Sequence, residues 1–313
     1  MTPLTQNQGH LYICSRMNRR YKENFLRAGA LAKEVRAYGR SLIRPGSSYQ
    51  EVIREIRRKT LELGGIPAFP PQIALNDVAA HYLPKADEDI LFSDQMVKLD
   101  IGVCYNGAIG DCATTVDLSG KHGKLIEAAE AALLAAEKKV MVGLSLKHLG
   151  QTIEETIKSY GFQSIRNLSG HGLGPYKIHT SPVIPNYASE TSEKLRAGMT
   201  FAIEPFATDG VGMIYEEGVP RIFSLVANRP VRSEFARKLL LKIRDLQGLP
   251  FAIQDLMTTE SELSAVEKGL EELVQAGVLF GHAPLIEQRR GLVAQAENSV
   301  LIDEKGDVFI TTR

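Results

Sequence analysis

Residues Val97–Leu118, VKLDIGVCYNGAIGDCATTVDL, decide the reading of this chain. Two apolar, β-rich runs flank Asn106-Gly107, the dipeptide that most readily supplies the positive φ angles of a two-residue hairpin turn. With 106 and 107 as the loop, Asp111 lies opposite Gly102, which shares a strand face with Asp100. Both carboxylates then point the same way. Diagonal neighbours across an antiparallel pair sit roughly 7–8 Å apart at Cα, and from there two side chains can converge on metal ions about 3.5–4 Å from each other. A three-residue loop or a bulge would shift this register and turn one Asp to the opposite face. The competing reading is a solvent-facing polar row on a half-buried hairpin, and the rest of the chain weighs against it.

At 313 residues, 44% hydrophobic and 24% charged, the chain has the composition of a soluble globular protein, in one large domain or two modest ones. Its 37 basic and 37 acidic side chains cancel, so net charge supplies no long-range pull toward nucleic acid or an anionic membrane. Neither a membrane nor a specific nucleic-acid partner is expected. Cys14, Cys104 and Cys112 are too few and too unpatterned for a disulfide framework or a thiolate zinc site. The apolar run Leu11–Cys14 is too short for a signal core or a span, and Arg16, Arg19 and Arg20 follow it instead of preceding it. A cytoplasmic location is the expectation.

Residues 1–20 hold little that could pack and read as a mobile extension with a basic patch. From Tyr21 to Ile43, Phe25, Ala28, Leu31, Ala32, Val35 and Leu42 recur at helical spacing, and Arg44-Pro45-Gly46 ends the helix. Ser48 with Glu51 forms a capping-box pattern opening a second helix, which runs to Leu63 and stops at Gly64-Gly65. An extended run then leads to His81 and the Asp hairpin. The plan repeats: a helix over Lys124–Val142, a turn at Gly143, a helix from about Lys147 to Tyr160. Gly46, Ile56 and Gly64 recur as Gly143, Ile153 and Gly161 at an offset of 97, and His81 as His179 at 98. Two halves on one plan imply an α/β (α+β) core of pseudo-two-fold symmetry, with antiparallel sheet, helices and a site between the halves. Residues 221–282, with helical patterns at about Ser233–Leu246 and Glu260–Ala276, read as a helical insertion within a catalytic unit of 21–220 and 283–313. A terminal hairpin, turned at Glu304-Lys305-Gly306, closes the chain.

Asp100, Asp111, His171, Glu204 and Glu297 stand in these strand and loop contexts. Glu204 lies in AIEPF and Glu297 in VAQAENSVLI, among apolar neighbours, where an unpaired carboxylate is too costly to bury without a partner. Metal ions would be that partner. Together with the hairpin, HGLGPYKIH and FAIEPFA resemble the methionine aminopeptidases, within the wider metallopeptidase family of the pita-bread fold. The resemblance covers about residue 21 onward. The insertion between Glu204 and Glu297 is similar to that of type 2 members, and the short lead-in to those of archaea.

The resemblance implies two divalent ions, of Mn, Fe, Co or Zn, on Asp100, Asp111, His171, Glu204 and Glu297. Asp111 and Glu297 would bridge, His171 and Glu204 complete one site, and Asp100 hold the other. It implies catalytic roles for Glu204 (proton transfer), His179 (the oxyanion) and His81 (near the scissile nitrogen). Phe69 and Ile178 match apolar positions of the methionine pocket, although plain core packing also fits them. Three departures stand out. Ala296 and Asn298 flank the last ligand where Phe and His are common, and His282 takes the place of a pocket Tyr. Such changes could enlarge the pocket or make it pH-sensitive. The implied substrate is the N-terminal peptide of a nascent protein whose second residue is small, with transient ribosome contact and a monomeric state as further expectations. A proline-specific pita-bread peptidase shares the carboxylates, and a non-catalytic binding relative would typically lack them. The segment SGHGLGPYKIH and the late insertion separate this chain from the first, and the full ligand set from the second.

Overall fold

Asn106 and Gly107 take φ of 49° and 86°, so the runs on either side pair with no residue left over. The computed structural model describes residues 19–85, 88–257, 259 and 262–313. Helices α1 (Arg19–Leu42) and α2 (Tyr49–Glu62) come first, and Ser48 Oγ accepts from the Glu51 N–H at 3.0 Å to cap α2. Short strands β1 (Ile66–Pro67), β2 (Gln72–Leu75) and β3 (Val78–Ala80) lead to the hairpin β4 (Met96–Tyr105) and β5 (Ala108–Asp117). The second half sets α3 (Gly123–Glu137), α4 (Leu146–Ser159), β6 (Gln163–Ser164), β7 (Ser169–Gly174), β8 (Lys177–Pro185), β9 (Thr200–Ile203) and β10 (Phe206–Thr208) in order. After β11 (Ile214–Glu216) come β12 (Ile222–Leu225), α5 (Glu234–Asp245), β13 (Phe251–Ala252), α6 (Leu263–Gln275) and β14 (Leu279–His282). The chain then returns through β15 (Leu285–Glu287), β16 (Val293–Gln295), β17 (Glu297–Ile302) and β18 (Val308–Ile310).

One nine-stranded sheet, ordered β1-β4-β5-β17-β9-β7-β8 with β2 on β4 and β18 on β17, joins the halves. The pairings among these strands are antiparallel. The internal repeat is visible in the backbone. Gly46 and Gly143 have φ of 86° and 88°, Gly64 and Gly161 83° and 87°, and His81 and His179 both 60°. Ile56 and Ile153 are fully buried in the two corresponding helices, each burial stabilising by about 1.5–3 kcal/mol. One apolar cluster gathers Leu31, Val35, Ile56 and Leu99 under α1 and α2. Its counterpart gathers Leu133, Leu149, Ile153 and Phe201 under α3 and α4.

Several readings shift. The extension expected over 1–20 lies outside the described residues as far as 18, whereas Arg19 and Arg20 already belong to α1. Helix α3 ends at Glu137, short of Val142. The stretch 221–282 is not purely helical: β12, β13 and β14 form a three-stranded sheet backed by α5 and α6. Arg57 of α2 pairs with Asp255 of this stretch. Cys104 and Cys112 are free and buried, and Cys14 lies outside the described residues. Among the described residues no helix is long and apolar enough to cross a membrane.

Candidate metal centre

The hairpin register places Gly102 opposite Asp111 and Asp100 opposite Ala113, so both carboxylates leave one face of the sheet. Gly102 has a packing role beside them. A Cβ there would stand 2.4 Å from the Phe69 ring, and only a bare Cα lets that ring lie against the strand. Strand β17 brings Glu297 opposite Ala113 on the far side of β5. His171 comes from β7, and Glu204 directly follows β9.

These five side chains meet. His171 Nε2 lies 3.8 Å from Asp111 Oδ2 and 4.0 Å from Glu297 Oε1. Ligand atoms of Asp111, His171 and Glu297 lie within 4.8 Å of one another, as do those of Asp100, Glu204 and Glu297. Glu297 belongs to both groups, and Glu204 groups with Asp100, where the resemblance pairs it with His171. All five are at most 9% exposed, yet Asp100 Oδ1, Asp111 Oδ1 and both Glu297 carboxylate oxygens accept no hydrogen bond. Four buried carboxylates with four orphaned oxygens and one imidazole form a donor set that fits divalent cations of the Mn, Fe, Co or Zn kind, and leaving it unpartnered is expensive. Burial pushes the Asp100 carboxyl up to about 7. Burial first, and the neighbouring carboxylates second, hold Asp111, Glu204 and Glu297 well above the usual range.

The histidines are held neutral. Burial, reinforced by His282 and His179, pushes His81 down to about 3, and burial with His282 beside it lowers His179 to about 4. His171 is lowered by burial and by His179, whose ring crosses it edge-on at 4.4 Å. The His81 and His282 rings are 5.2 Å apart, and His282 Nε2 lies 2.8 Å from Ser224 Oγ. A cavity of about 280 Å³ opens over the carboxylates. Phe69, Ile178, His81, His179 and His282 line it together with the five, so every site residue read from the sequence comes to one place.

Sequence reasoning missed the residues that hold this arrangement. Gln295 Nε2 donates to Glu204 Oε1 at 2.7 Å and to Asp100 Oδ2 at 3.3 Å. Ser299 Oγ accepts from the Asp111 N–H at 2.7 Å and donates to its carbonyl at 2.8 Å. Asn186 Nδ2 donates to the Glu204 carbonyl at 2.9 Å. The available signal was the two-residue spacing of Glu297 and Ser299, which gives them one face of β17; Gln295 ends β16, a strand of another sheet.

Residues 23–304 match metallopeptidase family M24. The chain is 41% identical over 293 residues to the methionine aminopeptidase of Methanocaldococcus jannaschii, covering 93% of this chain and 98% of the relative. Among solved structures, a methionine aminopeptidase from Thermotoga maritima superposes with a TM-score of 0.68 at 23% identity, covering 95% of this chain and 98% of that one. A thermophilic Arx1 superposes with a TM-score of 0.80 at 14% identity, covering 94% and 91%. At these identities the two structures speak for the shared fold.

Proposed function

The chain belongs to metallopeptidase family M24 and, within it, to the methionine aminopeptidases of pita-bread fold, and from that premise we propose how its site removes an initiator methionine. The reaction is hydrolysis of the bond after an N-terminal methionine, and it uses divalent metal. The observation that carries the reading is the set of orphaned, buried carboxylate oxygens at the floor of the cavity, flanked by His81 and His179. Two ions would be held, one by Asp111, His171 and Glu297 and one by Asp100 and Glu204 with Glu297. Glu297 belongs to both groups, and the resemblance implies that Asp111 would serve both as well. When bound, such ions supply Lewis acidity and lower the pKa of water.

The protein's own groups then divide the work. Glu204, whose carboxyl is held high by burial, takes the proton of the attacking water and delivers it to the leaving amine. Neutral His179 donates a hydrogen bond to the carbonyl oxygen as charge gathers there, and neutral His81 does the same near the scissile nitrogen. Phe69 and Ile178 face the methionine side chain, and His282, held by Ser224, closes the wall beside His81. The substrates are N-terminal peptides of nascent chains with a small second residue, met in the cytoplasm by a monomer in passing contact with the ribosome. Of the basic patch, Arg16 lies outside the described residues and Arg19 pairs with Glu23 at 2.9 Å.

Methionine release from Met-Ala-Ser, Met-Leu-Ser and an Xaa-Pro peptide, assayed with added Mn or Co, tests this. Met-Ala-Ser should be cleaved and the other two left intact. Preference for the Xaa-Pro peptide would transfer the site to the proline-specific peptidases. Equal turnover of Met-Leu-Ser would show that the pocket is widened at His282, since Ala296 and Asn298, the other two departures, lie outside the cavity lining.

A further inference from the structure

We infer that Arg36 is a positioning residue for the metal centre: from α1 its guanidinium spans the seam between β5 and β17 and holds Glu297 in register with Asp111. The inference rests on reading the carboxylate cluster as a metal site. Strands β5 and β17 carry Asp111 and Glu297, yet they pair at only two positions, Glu297 with Ala113 and Asn298 with Cys112. The β4–β5 hairpin pairs at ten. A ladder that short gives the two carboxylates little help in keeping their spacing, so side chains supply it. On the carboxylate face Ser299 Oγ bonds both the N–H and the carbonyl of Asp111.

On the opposite face, to which Asn298 points by strand alternation, Arg36 closes the other end. Its Nη1 donates to the Glu297 carbonyl at 2.9 Å and reaches the Ala113 carbonyl at 3.5 Å, the two halves of one cross-strand pair. The same nitrogen donates to Asn298 Oδ1 at 3.0 Å, and Nη2 donates to the Thr312 carbonyl at 2.7 Å. Asn298 is in turn fixed, since Oδ1 accepts from Thr312 Oγ1 at 2.8 Å and Nδ2 donates to Glu137 Oε1 at 2.7 Å. A planar fork bonded on two nitrogens has one orientation, which a lysine ammonium cannot copy. Arg40, one turn further along α1, provides the contrast. It bonds Thr114 Oγ1 at 2.7 Å and the Thr115 carbonyl at 2.8 Å, both on β5.

Groups that orient a ligand from behind typically govern about 10–100-fold in metal affinity. Calorimetric titration of Mn²⁺ into EDTA-stripped native protein, Arg36→Lys, Asn298→Ala and Arg40→Lys measures this, with melting of each stripped protein recorded in parallel. Arg36→Lys should weaken Mn²⁺ binding about 10–100-fold and Asn298→Ala about tenfold, Arg40→Lys should bind as the native protein does, and kcat of Arg36→Lys should recover at saturating Mn²⁺. Native affinity in both Arg36→Lys and Asn298→Ala overturns the inference. So does an equal loss in Arg40→Lys, which would make the packing of α1, not the seam, responsible. Should Arg36→Lys not fold, Asn298→Ala decides alone. Native protein that takes up no Mn²⁺ would sink the metal reading itself, a result distinct from the others.

Discussion

Asp111→Asn is expected to lower kcat/KM for Met-Ala-Ser by roughly 10⁴-fold, the scale seen when one member of an interdependent catalytic set is removed. The substitution keeps shape and removes charge. Asp111 stands within the group of Asp111, His171 and Glu297, and Glu297 ties that group to Asp100 and Glu204, so the loss falls on the whole centre. The fold should survive, because Ser299 grips the backbone N–H and carbonyl of residue 111 and not its side chain. The stripped variant should melt no lower than the stripped native protein, because one of four mutually repelling buried carboxyls is gone. Glu204→Gln makes the complementary case. It removes the proton carrier and one carboxylate of the group with Asp100 and Glu297, so kcat should fall about 10²–10⁴-fold or more and metal binding should weaken with it. Steady-state kinetics beside melting curves separate these outcomes, and an Asp111→Asn enzyme within tenfold of native would end the claim that this residue holds metal.

Stripping metal with EDTA is expected to lower Tm by roughly 10 °C from a loaded state near a thousandfold over Kd, since binding at that excess stabilises by about 4 kcal/mol and each kcal/mol shifts a chain of this size by a few degrees. The stripped protein should also respond to pH in the direction set by its carboxyls. Asp100 is raised to about 7, and Asp111, Glu204 and Glu297 are raised well above their ordinary values, by burial before all else. An acid raised by folding binds more protons folded than unfolded. Its contribution is complete below the unfolded value near 4 and is lost as pH climbs through the folded one. Stripped protein should therefore melt lower at pH 8 than at pH 6. Added metal should stabilise more at pH 8, because its ligands must be deprotonated. Scanning fluorimetry at the two pH values, with and without EDTA, reads both trends, and a stripped protein more stable at pH 8 would contradict them.

The hairpin register was legible because Asn106-Gly107 leaves the flanking strands one low-cost pairing, and the alternation of side chains then orients Asp100 and Asp111. The repeat was legible because Gly64 and Gly161 follow the last residues of α2 and α4, and Gly46 and Gly143 turn the chain ahead of those helices, all in a left-handed conformation that few side chains accept. Other features depend on distance in the chain. Arg36 looks like one more polar residue on an amphipathic helix, and its acceptors are 77 to 276 residues away. Lys98 sits in a strand buried on both faces and is itself fully buried, its Nζ donating to the carbonyls of Asn76 and Val293. A lysine in an apolar run gives no sign of which carbonyls will close around it. The strands within 222–282 are two to four residues long and too short to show a period beside the helical patterns of α5 and α6.

Histidine in the left-handed region costs about 1–2 kcal/mol relative to glycine, and two of the described histidines, His81 and His179, sit there at the same φ of 60°. Glycine would relax into either position. Thermal robustness and turnover thus pull in opposite directions at two symmetry-related points. A library selected for heat resistance alone would be drawn to His81→Gly and His179→Gly, and each gain would empty one side of the cavity of its imidazole. Conformational expense kept at such positions is a cost of function, and backbone angle alone sets the two proposed catalytic imidazoles apart from the other described histidines.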